Sequence, residues 1–174
     1  PESHDNSETE NFIEKNFETL NMTPKERFEL EKFGQPIQEM IEATLVRQWR
    51  SSSQFYEVMV DFWTNHFNIF LAKTPCRVLK ADDDRDVIRA HALGNFHDIL
   101  SASAHSPAML TYLDQATSKK DAPNENYARE LLELHTVGVN GGYTHEDITE
   151  LARVLTGWSA TGFRDKNREV GQFL

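Results

Sequence analysis

The segment from Asn124 to Trp158, NENYARELLELHTVGVNGGYTHEDITELARVLTGW, constrains the fold of this chain more than any other stretch. It holds two helix starts, two stops and the turn between them. Asn124 can cap the first helix, because its side-chain oxygen can accept from a free backbone N–H one turn on. Glu125 places negative charge at the positive helix end, and Gly138 can adopt the left-handed conformation that closes the helix. Thr144, with Asp147 three residues on, resembles a capping box with a shorter acid. Ile148, Leu151, Ala152 and Leu155 then recur at helical spacing, and Gly157 is a stop. Asn140-Gly141-Gly142 supplies a tight reversal. Caps, spacing and turn together predict a helical hairpin.

The rest of the chain reads the same way. Residues 1–10 are acidic and lack periodic apolar positions, which predicts a flexible tail. A helix is expected near 11–20. Thr23-Pro24 with Glu26 opens a second, closed at Gly34. Pro36 starts a helix carrying Ile37, Met40, Ile41, Leu45 and Trp49, and Ser51-Ser52-Ser53 interrupts it. A longer helix follows over 54–71, with Phe55, Met59, Phe62 and Phe70 as its apolar face, the densest aromatic face in the chain and hence an expected centre of packing. Residues 75–80 read as a connector. Asp82, Asp83, Asp84 and Asp86 load the start of the next helix, where acids favour the dipole. That helix is expected to reach about Ser103. Ser106-Pro107 opens another ending near Gln115, and 117–123 is a polar loop. There is no sustained period-two alternation and no internal repeat. The expectation is an all-α fold, an irregular bundle of about six to seven helices, with 11–158 as one helical domain and 159–174 as a C-terminal extension.

Composition narrows the function classes. A chain of 174 residues suits one domain, and 11 Phe with 3 Trp can build its core. A net charge of -10 argues against a nucleic-acid backbone or an anionic membrane surface as partner. No apolar run approaches the length of a membrane span, so membrane insertion is not expected. No stretch has the pattern of a signal peptide, and a start at Pro1 rather than Met reads as a processed or trimmed chain. The single Cys76 excludes an intramolecular disulfide and reads as a small apolar filler.

Chemistry-bearing side chains concentrate in two places. Asn126, Arg129, Glu130 and Glu133 share one sector of the first hairpin helix, at about 100° per residue. Arg129 and Glu133 stand at i and i+4 and can pair along its surface. Either this is a solvated stripe, or it faces a cleft in which Arg129 keeps carboxylates charged and Asn126 fixes orientation. His66 projects into the middle of the aromatic face of the 54–71 helix. A buried histidine must satisfy its ring nitrogens, so it is either a core residue bonded to a carbonyl or carboxylate, or an acid–base group or ligand. Asp82, Asp84 and Asp86 match three positions of a calcium loop, but Val87 replaces the required glycine and Leu93 the closing glutamate, so that reading fails. No H-E-x-x-H, paired Cys-x-x-Cys or G-x-S-x-G motif occurs, and neither cofactor nor metal site is assigned. A metal would require His66, His135 and the Glu130/Glu133 face to converge.

The stretches NENYARELLELHTVGVNGGYTHEDITELARVLTGW, FWTNHFNIF at 62–70, IRAHALGNFHDIL at 88–100 and SPAMLTYLD at 106–114 resemble the bacterial family labelled domain of unknown function 1800. The matched blocks lie in order over about residues 55–158. The resemblance implies a helical fold and carries over no catalytic residue. Members are usually longer, so it also implies a C-terminal part beyond Leu174. Many are exported, which implies a periplasmic or exported location, and many are encoded beside a protein resembling the alkaline phosphatase and sulfatase superfamily.

Two functional expectations follow. The first is a helical accessory protein that binds a protein partner, motivated by the lack of a catalytic motif and by the family's gene company. The alternative is a hydrolase-like enzyme, acid–base or metal-assisted, using Asn126, Arg129, Glu130 and Glu133 with His66.

Overall fold

The computed structural model describes residues 6–32, 34–74, 76–161 and 171–173. It is all-α. Among the described residues there are nine α-helices and no strand. They are α1 (Ser7–Asn16), α2 (Pro24–Phe28), α3 (Gln35–Arg50), α4 (Gln54–His66), α5 (Cys76–Asp83), α6 (Phe96–His105), α7 (Pro107–Tyr112), α8 (Glu125–Glu130) and α9 (His145–Val154). Two of them widen without a break into π-helical turns, Asp84–Arg89 after α5 and Leu131–Thr136 after α8.

Local chemistry sets most helix starts. Thr23 accepts from the Glu26 N–H, and the Glu26 carboxylate accepts from the Thr23 N–H at 2.7 Å. Thr144 and Asp147 repeat the arrangement ahead of α9. Asn95 and Asn124 cap α6 and α8 through their side-chain oxygens. Each such cap stabilises its helix by about 1 kcal/mol. Gly138 and Gly142 have φ of 82° on either side of the reversal, a conformation that glycine adopts without strain. The predicted hairpin is present, with α8 and α9 packed together.

Where the structure departs from the sequence reading, the partner is remote. α1 begins at Ser7, inside the stretch read as a tail, because its acids have mates on α3. Glu10 receives two bonds from Arg47, at 3.0 and 2.9 Å, and Glu8 pairs with Arg50 at 3.1 Å. Residues 1–5 lie outside the described residues. α2 stops at Phe28, and Gly34 precedes α3 rather than closing α2. The stretch read as a connector is α5, so Asp82, Asp83, Asp84 and Asp86 stand within a continuous helix and not at its start. The charges of Asp82, Asp83 and Asp86 are met by bonded side chains instead of the helix dipole. Asp82 takes the fully buried Arg27 at 2.6 Å, and buried Lys80 and Asp83 pair at 2.8 Å. The helix expected to run on to Ser103 breaks at Ala92–Asn95, where Asn95 caps a new one. That break raises the helix number above the six or seven expected.

The main core gathers Phe67, Val78, Ile88, Ile99, Met109, Leu110, Tyr127 and Ile148, from α4 through α9. Burying each such side chain contributes about 1.5–3 kcal/mol. A smaller cluster of Ile13, Phe17 and Ala43 joins α1 to α3. The aromatic face of α4 is not where the packing centres. Phe55, Phe62 and Phe70 are exposed, while Glu57, Val60 and Phe67 turn inward. α4 ends at His66, five residues short of the expected limit, and Phe67 caps it from within the core. At the far end, the Thr161 N–H donates to the Gln172 carbonyl and the Thr161 carbonyl accepts from the Gly171 N–H, and Trp158 and Phe173 close edge-on over one another.

Candidate functional site

α4 positions the first nominated residue. His66 ends the helix with its ring stacked on Phe62 (6.2 Å between centroids, 13° between planes) and edge-on to Trp63 and Phe67. Its Nε2 lies 3.1 Å from the backbone carbonyl of His135. A carbonyl only accepts, so this nitrogen carries the hydrogen. His135 is itself buried, with its ring 6.2 Å from that of His66 and 5.2 Å from that of Phe67. Burial, reinforced by the neighbouring His66, lowers its pKa to about 4. His135 is therefore neutral at pH 7, as a core imidazole should be.

α8 positions the other four. Arg129 lies between Glu125 (3.3 Å) and Glu133 (3.5 Å), one turn to either side. Glu125 also accepts from Thr149 of α9 at 3.0 Å, so the acid ties the hairpin together. Asn126 donates to the Leu113 carbonyl at 3.2 Å. Glu130 makes no hydrogen bond or ion pair among the described residues. Arg129 and Glu133 are thus brought together. His66 is not joined to Asn126, Arg129, Glu130 or Glu133 by any hydrogen bond or ion pair among the described residues. Nor do three His, Cys, Asp or Glu side chains among the described residues stand where they could share a metal ion.

Two features escaped sequence reasoning. One is a buried polar network around the first π-turn. Arg89 grips Glu57 of α4 with two bonds, at 3.0 and 2.9 Å, and lies 5.1 Å from the Tyr56 ring centroid. Asp83 accepts from Ser106 at 2.6 Å as well as from Lys80. Burial disfavours the Lys80 charge, but Asp83 and Asp84 outweigh it and hold its pKa above the ordinary lysine value. The i, i+3 spacing of Lys80 and Asp83 was visible; nothing local announced Glu57.

The other is an open aromatic face. Phe55, Val58 and Phe62 on α4 are 69%, 62% and 53% exposed, and Phe62 leads through His66 to Phe96 at the start of α6. Leu93, three residues before Phe96, is also exposed. α4 and α6 contain no Lys or Arg, whereas Asp61 and Asp98 are carboxylates on these helices at exposed positions. No Lys or Arg of either helix interrupts this apolar face.

Over residues 2–174 the chain matches the family described as "Protein of unknown function (DUF1800)". The chain belongs to this family. The match reaches well beyond the blocks at 55–158 that carry the resemblance, and it takes in α1 to α3 and their ion pairs. The open face of α4, the His66–His135 junction and the first π-turn all lie within the family region. No curated protein and no solved structure matches the chain. The family description assigns no activity.

Proposed function

We propose that this member of the family is a docking module whose α4 face receives a protein partner. The observation that supports this reading is the exposure of Phe55, Val58 and Phe62 on a single helix face, continued by Phe96. Contiguous apolar surface of this kind is costly in water and marks interaction sites. A face of this kind favours a partner segment that is itself apolar and aromatic along its centre. By the family resemblance, the first partner to test is an exported protein of the alkaline phosphatase and sulfatase type encoded next to it.

The test is co-expression of the two proteins, with binding measured on the purified pair. The expected result is a complex with the wild type that is lost in Phe55→Ser/Phe62→Ser, while helicity is retained. Equal binding by wild type and variant would overturn the reading, and so would absence of binding by the wild type. Of the enzyme reading, Arg129 and Glu133 are neighbours, and Arg129 also pairs with Glu125, the acid that Thr149 bonds across the hairpin.

A further inference from the structure

Away from the α4 face, a cleft of about 260 Å3 lies between α1, α3 and the first π-turn. Its apolar lining is Ile13, Leu20, Met40 and Ala81. Three arginines, Arg47, Arg85 and Arg89, and three acids, Glu10, Glu14 and Asp84, supply its charge. The arginines are all engaged. Arg47 holds Glu10, Arg89 holds Glu57, and Arg85 reaches Asp82 and Asp86 at 3.0 and 2.7 Å. Glu10 is consumed by this network.

Asp84 and Glu14 are the charged groups left over. Neither carboxylate makes a hydrogen bond or ion pair among the described residues. Asp84 is half-buried, and it also lines a second cavity of about 70 Å3 together with Lys80 and Glu57. Lys80 is buried with one hydrogen-bond acceptor, Asp83, and Asp84 acts on it through space without bonding to it. Each arginine of the cleft has a bonded carboxylate, while half-buried Asp84 and exposed Glu14 line it without a bonded cation, beside Ile13, Leu20 and Met40. Asp84 is held there by the π-helical turn, a distortion that recurs at functional sites.

We propose that this cleft binds a small organic cation, an alkylammonium or alkylguanidinium whose charged ends meet Asp84 and Glu14 and whose methylene stem lies on Ile13, Leu20 and Met40. At about 30 Å3 for each water-sized group, the cleft takes roughly nine such groups, the size of agmatine or spermidine. Anions are disfavoured because the arginines are already occupied, and a neutral diol leaves the two carboxylates unmatched. The inference does not rest on the docking face.

Agmatine is the probe, titrated calorimetrically into wild type, Asp84→Asn, Glu14→Gln and Glu146→Gln. Glu146 lies on α9, away from the cleft, and controls for general attraction to an acidic protein. The expected result is saturable one-to-one binding, weakened at least tenfold in Asp84→Asn and Glu14→Gln and unchanged in Glu146→Gln. Hexanediol and succinate should not compete. Thermal melting of free Glu14→Gln should match wild type, whereas Asp84→Asn should melt slightly lower because it removes part of the field that keeps buried Lys80 charged. Absence of binding, equal weakening in all three variants, or competition by succinate would overturn the proposal. Preference for a capped lysine peptide over agmatine would overturn its assignment to a free small molecule.

Discussion

His66 and His135 meet through one hydrogen bond, from the Nε2–H of His66 to the main-chain oxygen of His135, 3.1 Å away. This contact fastens the end of α4 to the second π-turn and places two imidazoles against one aromatic cluster. Only one is sealed from water. His66 keeps partial exposure, whereas His135 is 5% exposed.

Acid should therefore destabilise the fold before the carboxylates titrate. The folded His135 binds its proton with a pKa of about 4, against about 6.5 in the unfolded chain. The unfolded state takes up more protons between those values, so stability is complete above pH 6.5 and falls as pH drops towards 4. The loss by pH 5 should be about 2 kcal/mol. Urea titrations at pH 7 and pH 5 check this, with His135→Asn flattening the difference.

Phe62 and Phe67 separate burial from aromatic content. Phe67 is 1% exposed, and Phe67→Ala should cost about 3–5 kcal/mol. Phe62→Ala should cost about 1 kcal/mol, because the ring is half in water and loses only its edge contact with Trp63 and its stack on His66. Comparing the two melting temperatures decides it.

Glu57→Ala should cost about 3–5 kcal/mol, since it leaves the Arg89 guanidinium buried without its bidentate mate. The double variant Glu57→Ala/Arg89→Met should recover part of that loss. A double-mutant cycle in urea measures the coupling.

Cys76 should resist thiol reagents in the native state. Its side chain is fully buried, and burial pushes the thiol pKa up to about 11, so little thiolate forms at pH 8. Labelling with a chromogenic disulfide should proceed at the rate at which the protein opens, and should become rapid in denaturant.

Helix starts were legible in the sequence because the interactions that set them span three residues. Thr23 with Glu26, Thr144 with Asp147, and the Asn124 cap could each be read from spacing alone. Arg129 and Glu133 were legible for the same reason. The inward face of α4 was not. Seven apolar and aromatic positions crowd that helix, and the side chain that fixes its rotation is a carboxylate, Glu57, whose mate stands 32 residues away. The acids at 82–86 misled similarly, because Arg27 lies 55 residues from Asp82. The α4 ridge was correctly read as apolar, but composition carries no sign of whether such a ridge is covered.

The two π-turns put a constraint on how this lineage can change length. Each accommodates more chain per revolution than an α-helix, as though one residue had been inserted. Losing one residue from 84–89 and returning to α pitch would leave later side chains of that helix facing nearly as they do now, because five residues at α pitch turn about as far as six at π pitch. The same holds for 131–136. Loss of a residue from an ordinary α stretch, in contrast, swings everything after it by about 100°. These two turns are therefore where the chain can shorten by one residue and keep its packing.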